Sequence, residues 1–363
     1  MHNKRTLSGF SLLEIMIGMV IGLLGTIVVM QVFSMNESRN RTTTSGDDAQ
    51  NSAAIALYGL QRDIQQSGYG ITAAKIIGCN VQLRAGVTLN VMAPVTINHA
   101  SIPAGDANTD TLLIVYGSSN SSAEGDGISA QPGNGAVYTV QTPASFVAND
   151  RVVSEAQARP NPCNLTMDQV VSVDIPNSAV TVATGVANMS NGTLFNLGQT
   201  PKVTAYAIRN GNLTMCKLVD INTTTLADDG KNCTDATLVN DQTVWIPIGS
   251  GIVNMRAQYG RDTNTLPMDG IVDVYDQTTP TTACGWTQTA AVRLALVAKS
   301  AKQEPQNVTA AAPSWAGVAT QPIDLTKNPD GSANANWQRY RYKTFEALVP
   351  LRNVTWQGVV SGC

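Results

Sequence analysis

FSLLEIMIGMVIGLLGTIVVMQVF, residues 10–33, is an apolar run of 24 residues with one charge, Glu14. As a helix rising 1.5 Å per residue it would extend about 36 Å, enough to cross a bilayer with some tilt. Residues 1–9, MHNKRTLSG, precede it and carry only Lys4 and Arg5 as charges. A basic flank is retained on the cytoplasmic side, so the bulk of the chain is expected across the membrane. A secretory signal peptide has a shorter apolar core and a small-residue cleavage site after it. Here the run is too long, and Val32-Phe33-Ser34-Met35 is a poor site of that kind. A plain signal anchor explains the length and the basic flank but not Glu14. An acidic residue at a helix centre in lipid costs roughly 2.5–3.5 kcal/mol, less near the interface, and one retained in such a run points to a function. Gly18 and Gly22 form a GxxxG that permits close helix approach, although glycine is common in membrane helices in any case.

Beyond Phe33 the sequence turns polar yet stays helix-compatible. In AQNSAAIALYGLQRDIQQS, residues 49–67, Ile55, Leu57, Tyr58, Leu60 and Ile64 fall at mainly helical spacing and predict one apolar stripe. Gly46 can bend the path, and Gly68-Tyr69-Gly70 is a stop signal. One helix is therefore expected over 10–67, divided into a membrane half (10–33) and an amphipathic half that, with its stop, fills 34–70. Residues 71–363 read as mostly β. Alternating or β-branched runs occur at 111–117, 135–142, 169–175, 178–184, 202–211 and 291–300, separated by Gly, Asn, Asp, Ser and Pro. SSNSSAEGDGISAQPGNG, 118–135, reads as an exposed, mobile loop. A soft boundary near 200 separates an inserted β region from the C-terminal half.

Charged residues are only 13% of the chain and the net charge is -3, which argues against nucleic acid as a partner because phosphate binding needs a concentrated basic face. The six cysteines, Cys79, Cys163, Cys216, Cys233, Cys284 and Cys363, all follow the apolar run. Their even count and wide spacing predict disulfides in an oxidising compartment, with buried thiols as the alternative. Fifteen pairings are open, and Cys216 with Cys233 is the simplest local one. There is no CxxC, and His2 and His99 are the only histidines, which disfavours zinc and a Ser-His-Asp arrangement. No Walker A or GxGxxG loop is present. Trp245, Trp286, Trp315, Trp337 and Trp356 could form a sugar- or partner-binding face, but core packing is the commoner use of such residues. The sequons at Asn164, Asn212 and Asn307 are of a kind that Thr-rich sequences produce by chance.

Gly9-Phe10-Ser11-Leu12-Leu13-Glu14 resembles the signal of type IV prepilins and pseudopilins. The resemblance implies a leader, residues 1–9, removed by a membrane peptidase that cuts between Gly9 and Phe10 and methylates the amine of Phe10. It gives Glu14 the role of pairing with the N-terminal amine of a neighbouring subunit. Two opposite charges in an apolar filament core satisfy one another better than either does alone. The implied fold is α+β and pilin-like: a long N-terminal helix, its first half transmembrane, packed on a large β-rich, disulfide-containing head.

A second, narrower resemblance is to PilW-type minor pilins. It rests on Gln65-Gln66-Ser67-Gly68-Tyr69-Gly70 with Cys79 shortly after, on AQYGRDTNTLPMDGIVDVYD (257–276) and on YRYKTFEALVPLRN (340–353). It implies a non-enzymatic subunit taking part in type IV pilus initiation near the tip, with twitching and cell adhesion as associated activities. The implied partners are other minor pilins, the major pilin, the prepilin peptidase, the inner-membrane assembly platform and a tip adhesin. The implied location is the bacterial inner membrane as a single-pass protein with a periplasmic head, then the extracellular pilus tip. A minor pseudopilin of a type II secretion system is the alternative, because the N-terminus cannot separate the two. An adhesin role for the head is compatible with either, and an anchored hydrolase is disfavoured by the missing histidines.

The same resemblance suggests calcium as the one candidate cofactor. Asp262, Asn264, Asp269, Gly270 and Asp273 look like the first part of a calcium loop, whose alternate oxygen ligands and turn glycine suit Ca²⁺. Thr265-Leu266-Pro267-Met268 stretches the spacing, and no Glu stands at the usual twelfth position. An Asp/Asn-rich turn is the plain alternative.

Overall fold

A computed structural model describes residues 11–264 and 268–356, with side-chain surroundings omitted for 37–48. The helix expected from the apolar run is continuous over Leu12–Gln66. Its buried stripe is Ala53, Ala56, Leu57, Leu60 and Ile64, at spacings of three, one, three and four. Ile55 and Tyr58, expected on that stripe, face solvent instead. The stripe relies on two alanines because the helix lies close on the sheets: a Cβ built on Gly249 would come 3.3 Å from that of Ala56. The helix stops where Gly68 takes φ +82, a left-handed conformation that glycine adopts without a Cβ penalty.

Two antiparallel sheets receive the helix. A five-stranded sheet runs Ile246–Ser250, Asn212–Val219, Lys202–Arg209, Leu112–Tyr116, Val95–Ile97. A four-stranded sheet runs Val274–Asp276, Ile252–Arg261, Thr289–Lys299, Tyr342–Pro350. Ile208, Leu213, Met255, Leu294, Leu296 and Val349 from these strands form one core with the helix stripe. Asn210-Gly211 turns the central hairpin with φ of 50 and 70, the type I′ geometry that matches strand twist and suits Asn-Gly.

A third sheet of eight strands holds Val87–Leu89, Asn80–Arg84, Asn164–Asp174, Arg151–Glu155, Thr193–Gly198, Asp126–Ala130, Val137–Val140 and Ala179–Val182 in spatial order. Asn164–Asp174 also pairs with Ala179–Val182, so the last six strands close into a ring. Ile128, Tyr138, Phe146, Val152, Val180 and Leu194 fill it. This small barrel enters after Tyr116 and leaves before Lys202, and those two residues are register partners in the five-stranded sheet. Its two connectors touch: the Ser118 N–H donates to the Leu197 carbonyl (2.7 Å) and the Thr200 N–H to the Ser118 Oγ (2.9 Å). Gly198, at φ +80, allows this approach, since a Cβ there would run into the backbone of Ser118 and Ser119.

The stretch 118–135, expected as a mobile loop, contains the barrel strand Asp126–Ala130. Asp126 is buried and its carboxylate accepts the N–H groups of Gln141 (3.1 Å) and Thr142 (2.8 Å). That anchoring outweighs a Gly- and Ser-rich composition. Disulfides join Cys79 to Cys163 and Cys216 to Cys233. Cys284 is also disulfide-bonded, and Cys363 lies outside the described residues.

Candidate functional site: the helix and its seat on the head

The helix over Leu12–Asn36 is long and apolar enough to cross a membrane, and none of it is buried against the chain itself. Leu12, Met19, Leu23 and Phe33 all lie open. Such a surface suits lipid or other apolar helices around it. Glu14 stands in its first turn, and its N–H donates to the Ser11 carbonyl (2.9 Å). Around Gly18, Gly22 and Gly25 nothing else among the described residues comes within 4 Å of a built Cβ, so they leave room for an external helix. Gly9 and Phe10, the expected cleavage and methylation residues, lie outside the described residues.

Where the helix meets the head, polar groups fix its position. Asp63 accepts hydrogen bonds from the Tyr206 and Tyr116 hydroxyls, on adjacent strands of the five-stranded sheet. Burial and the neighbouring carboxylate push Tyr116 up to about 12, and they raise Tyr206 as well, so both hydroxyls stay protonated donors. At the helix end the Asn353 amide donates to the carbonyls of Gln66 (3.1 Å) and Ser67 (2.9 Å). A helix C-terminus leaves carbonyls without partners, and Asn353 reaches them from 287 residues away in sequence. Leu351, beside it, is buried in the core with Ile64. Asn353→Ala is expected to destabilise the head by about 1 kcal/mol and lower its melting temperature by roughly 2–4 °C. A thermal melt of the purified chain checks this, and an unchanged melt would remove the cap from the account.

The segment 257–276 forms a hairpin on the other side of the same core. Tyr259 is buried, stacks edge-on against Trp286 (5.9 Å, 89°) and accepts the Ile97 N–H (2.6 Å). Thus 257–276 and 340–353, which the sequence offers as separate marks, share one core with Ile64, and Asn353 ties that core to the third mark at Gln66 and Ser67.

The expected calcium ligands are brought near one another at the tip of this hairpin. Asp262 is buried and accepts the N–H groups of Gly270 (2.7 Å) and Asn264 (3.2 Å). Asp273 accepts the Thr263 N–H (2.8 Å), and Asp269 the Asn264 amide (3.1 Å) and the Ile271 N–H (2.8 Å). These bonds close the turn with its own donors, as Asx turns do. Residues 265–267 lie outside the description, and among the described residues no group of three or more His, Cys, Asp or Glu is placed to hold a metal ion.

Trp245, Trp286 and Trp315 are buried and Trp337 is partly so, which leaves Trp356 as the one exposed tryptophan of the five. His99 is buried, and its Nδ1 accepts the Ser101 N–H (3.1 Å). The Val91 carbonyl lies toward the ring, but Nε2 has no partner with hydrogen-bond geometry. Desolvation holds His99 below its ordinary value of 6.5. Below that value the unfolded chain takes a proton that the folded chain resists, so stability is full above it and falls as pH drops through the window beneath. Comparing denaturant midpoints at about pH 7.5 and about pH 5 should show a drop that His99→Gln reduces. An equal drop in both proteins would assign the loss to other groups.

Comparison with known proteins gives one family match. Residues 205–353 match the family described as Type IV Pilus-assembly protein W, PilW. No curated protein sequence matches the chain. Among solved structures, a type IV-like pilin from Thermus thermophilus aligns over 84% of this chain and 96% of its own, at 10% identity and a TM-score of 0.31. The matched segment begins inside the strand that follows the barrel and ends at Asn353, which caps the helix. Over this part of its head, which includes the residues that cap and pack against the end of the N-terminal helix, the chain is similar to the PilW-type pilus-assembly family.

Proposed function

We propose that the chain is a minor pilin which joins a type IV pilus after removal of residues 1–9, and acts in initiation near the tip. The observation that carries this reading is an apolar helix of 25 residues, wholly unburied, on a head whose residues 205–353 match the PilW family. Exposed Ile55 and Tyr58 add an apolar patch beyond the membrane half, where neighbouring subunits of a filament would lie. Before assembly the helix anchors the protein in the inner membrane with its head in the periplasm. Within the filament Glu14 meets the methylated amine of Phe10 from an adjacent subunit. The major pilin, other minor pilins and the assembly platform are the partners this role requires.

The test is the mass and N-terminal sequence of the protein extracted from membranes that contain its prepilin peptidase. A chain starting at N-methyl-Phe10 supports the reading, and one starting at Met1 or cut after residue 33 overturns it. Glu14→Ala is expected to leave cleavage intact and to cut incorporation into sheared filaments at least tenfold, read by immunoblot. That factor corresponds to about 1.4 kcal/mol, below the cost of one unpaired charge in an apolar core. The family match favours a pilus over a type II secretion pseudopilus. Loss of pili with secretion intact on deletion separates the two.

A further inference from the structure

We infer that the cleft at the root of the inserted barrel is a binding site for an uncharged saccharide. The cleft encloses about 490 Å³, within the range of small-ligand pockets, between the barrel's two connectors and the segment 144–150. It lies outside the region matched to the pilus-assembly family and shares no residue with the helix seat, so it does not depend on the assembly role.

Its floor is Asp150, only 4% exposed. One carboxylate oxygen, Oδ2, accepts the Val147 N–H (2.9 Å) and the Asn196 amide (2.7 Å). Among the described residues, the other oxygen, Oδ1, takes no hydrogen bond. Burial raises the pKa of this group, while those two bonds draw it back. An acceptor in that condition favours a ligand bringing its own donor. The position is built rather than incidental: Asn196 is itself buried, its Oδ1 receives the Gly198 N–H (2.7 Å), and its carbonyl receives the Ser119 hydroxyl (2.8 Å).

The walls decide what kind of donor suits the cleft. They are hydroxyls and amides, with Ser145, Asn120, Gln199 and Thr200 among them, and they include no Lys or Arg. An anionic ligand would meet Asp150 with nothing to offset the repulsion. A simple ammonium would satisfy Asp150 but leave the surrounding hydroxyls and amides without use, and no aromatic ring lines the cleft to help hold a cation. Adjacent hydroxyls on a sugar ring act as donors and acceptors together, which matches this lining. Val147, half exposed on the rim, offers an apolar contact for the C–H face of the ring.

The test is titration of the full chain in detergent micelles with neutral oligosaccharides of glucose, galactose and N-acetylglucosamine, read by calorimetry. Glucosamine and glucuronate serve as the cationic and anionic arms. Saturable binding of a neutral sugar is expected, weakened about tenfold or more by Asp150→Asn. Ala144→Trp, at an exposed position on the rim, is expected to abolish binding with the melting temperature unchanged. The inference is overturned by silence across the neutral panel. It is equally overturned by neutral-sugar binding that survives Ala144→Trp, or by glucosamine or glucuronate binding in preference. Because the readout is binding by the unassembled protein, it stands or falls independently of filament entry.

Discussion

Asp110→Ala is expected to cost roughly 3–5 kcal/mol, the largest single-residue effect in the head. Asp110 sits between the five-stranded and four-stranded sheets with 3% of its side chain exposed. Its two oxygens receive the Asn98 amide (3.0 Å), the Ala257 N–H (3.0 Å) and the Gln277 amide (2.7 Å), with the Arg256 guanidinium at 3.4 Å. The pair is not itself a large source of net stability, since desolvating two charges consumes most of their attraction. Removing one partner is another matter. Arg256, with 10% of its side chain exposed, would keep its charge with the Pro322 carbonyl as its hydrogen-bond acceptor and Asp324 as a more distant counter-charge. The buried Ala257 N–H and the part-buried Asn98 and Gln277 amides would lose this acceptor at the same time. Denaturant midpoints of the wild type and the variant measure the effect. A loss under about 1 kcal/mol would mean that water enters and solvates the site.

Serine at both Cys79 and Cys163 is expected to cost roughly 4–5 kcal/mol. The link spans 84 residues, so it removes much of the freedom of the unfolded chain, and it ties the loop after the helix to the base of the barrel. Serine at both Cys216 and Cys233, a span of 17, is expected to cost about 3 kcal/mol by the same reasoning. Urea titrations of the two double variants test the ranking. Equal losses, or a reversed order, would show that local packing around the sulfurs outweighs loop length.

The helix was readable in the sequence because a run such as 10–33 admits few other readings, and Gly68-Tyr69-Gly70 marks its stop. Each of the six strand segments picked out by alternation overlaps an observed strand, from Leu112–Tyr116 to Thr289–Lys299. What pattern could not give was contact between distant segments. The ring closure depends on Asn164–Asp174 pairing on both sides. Asp110 meets Arg256 across 146 residues, and neither residue's neighbours in sequence announce the other. The buried helix stripe was read partly on the wrong face. Ala53 and Ala56 carry little hydrophobic signal, while Ile55 and Tyr58 carry much and stay exposed. A residue kept for contact with another molecule looks, in sequence, like one kept for the core. At the proposed cleft, Asp150 and Asn196 stand 46 apart in unremarkable polar stretches, and only the fold brings them together.

The barrel's place at the tip of a hairpin has a consequence for how this head can vary. Tyr116 and Lys202 face each other across the five-stranded sheet, so a short turn could join them and the sheet would still close. The barrel has no free edge strand and carries its own core, and its entry and exit lie side by side. Further attachments fasten its base, among them the Cys79–Cys163 bridge, the parallel pairing of Asn80–Arg84 with the start of Asn164–Asp174, the Arg159 guanidinium on the Ala74 and Ile77 carbonyls, and Val153, Leu165 and Phe195 packed with Ile71 and Leu113. A lineage could therefore trade this cassette for another, altering the connectors, Cys79 and the head residues packed against its base, while Asp63, Asn353 and the helix they hold went on unchanged. Acquisition or loss of such a cassette would alter what the head touches without altering how the subunit is seated.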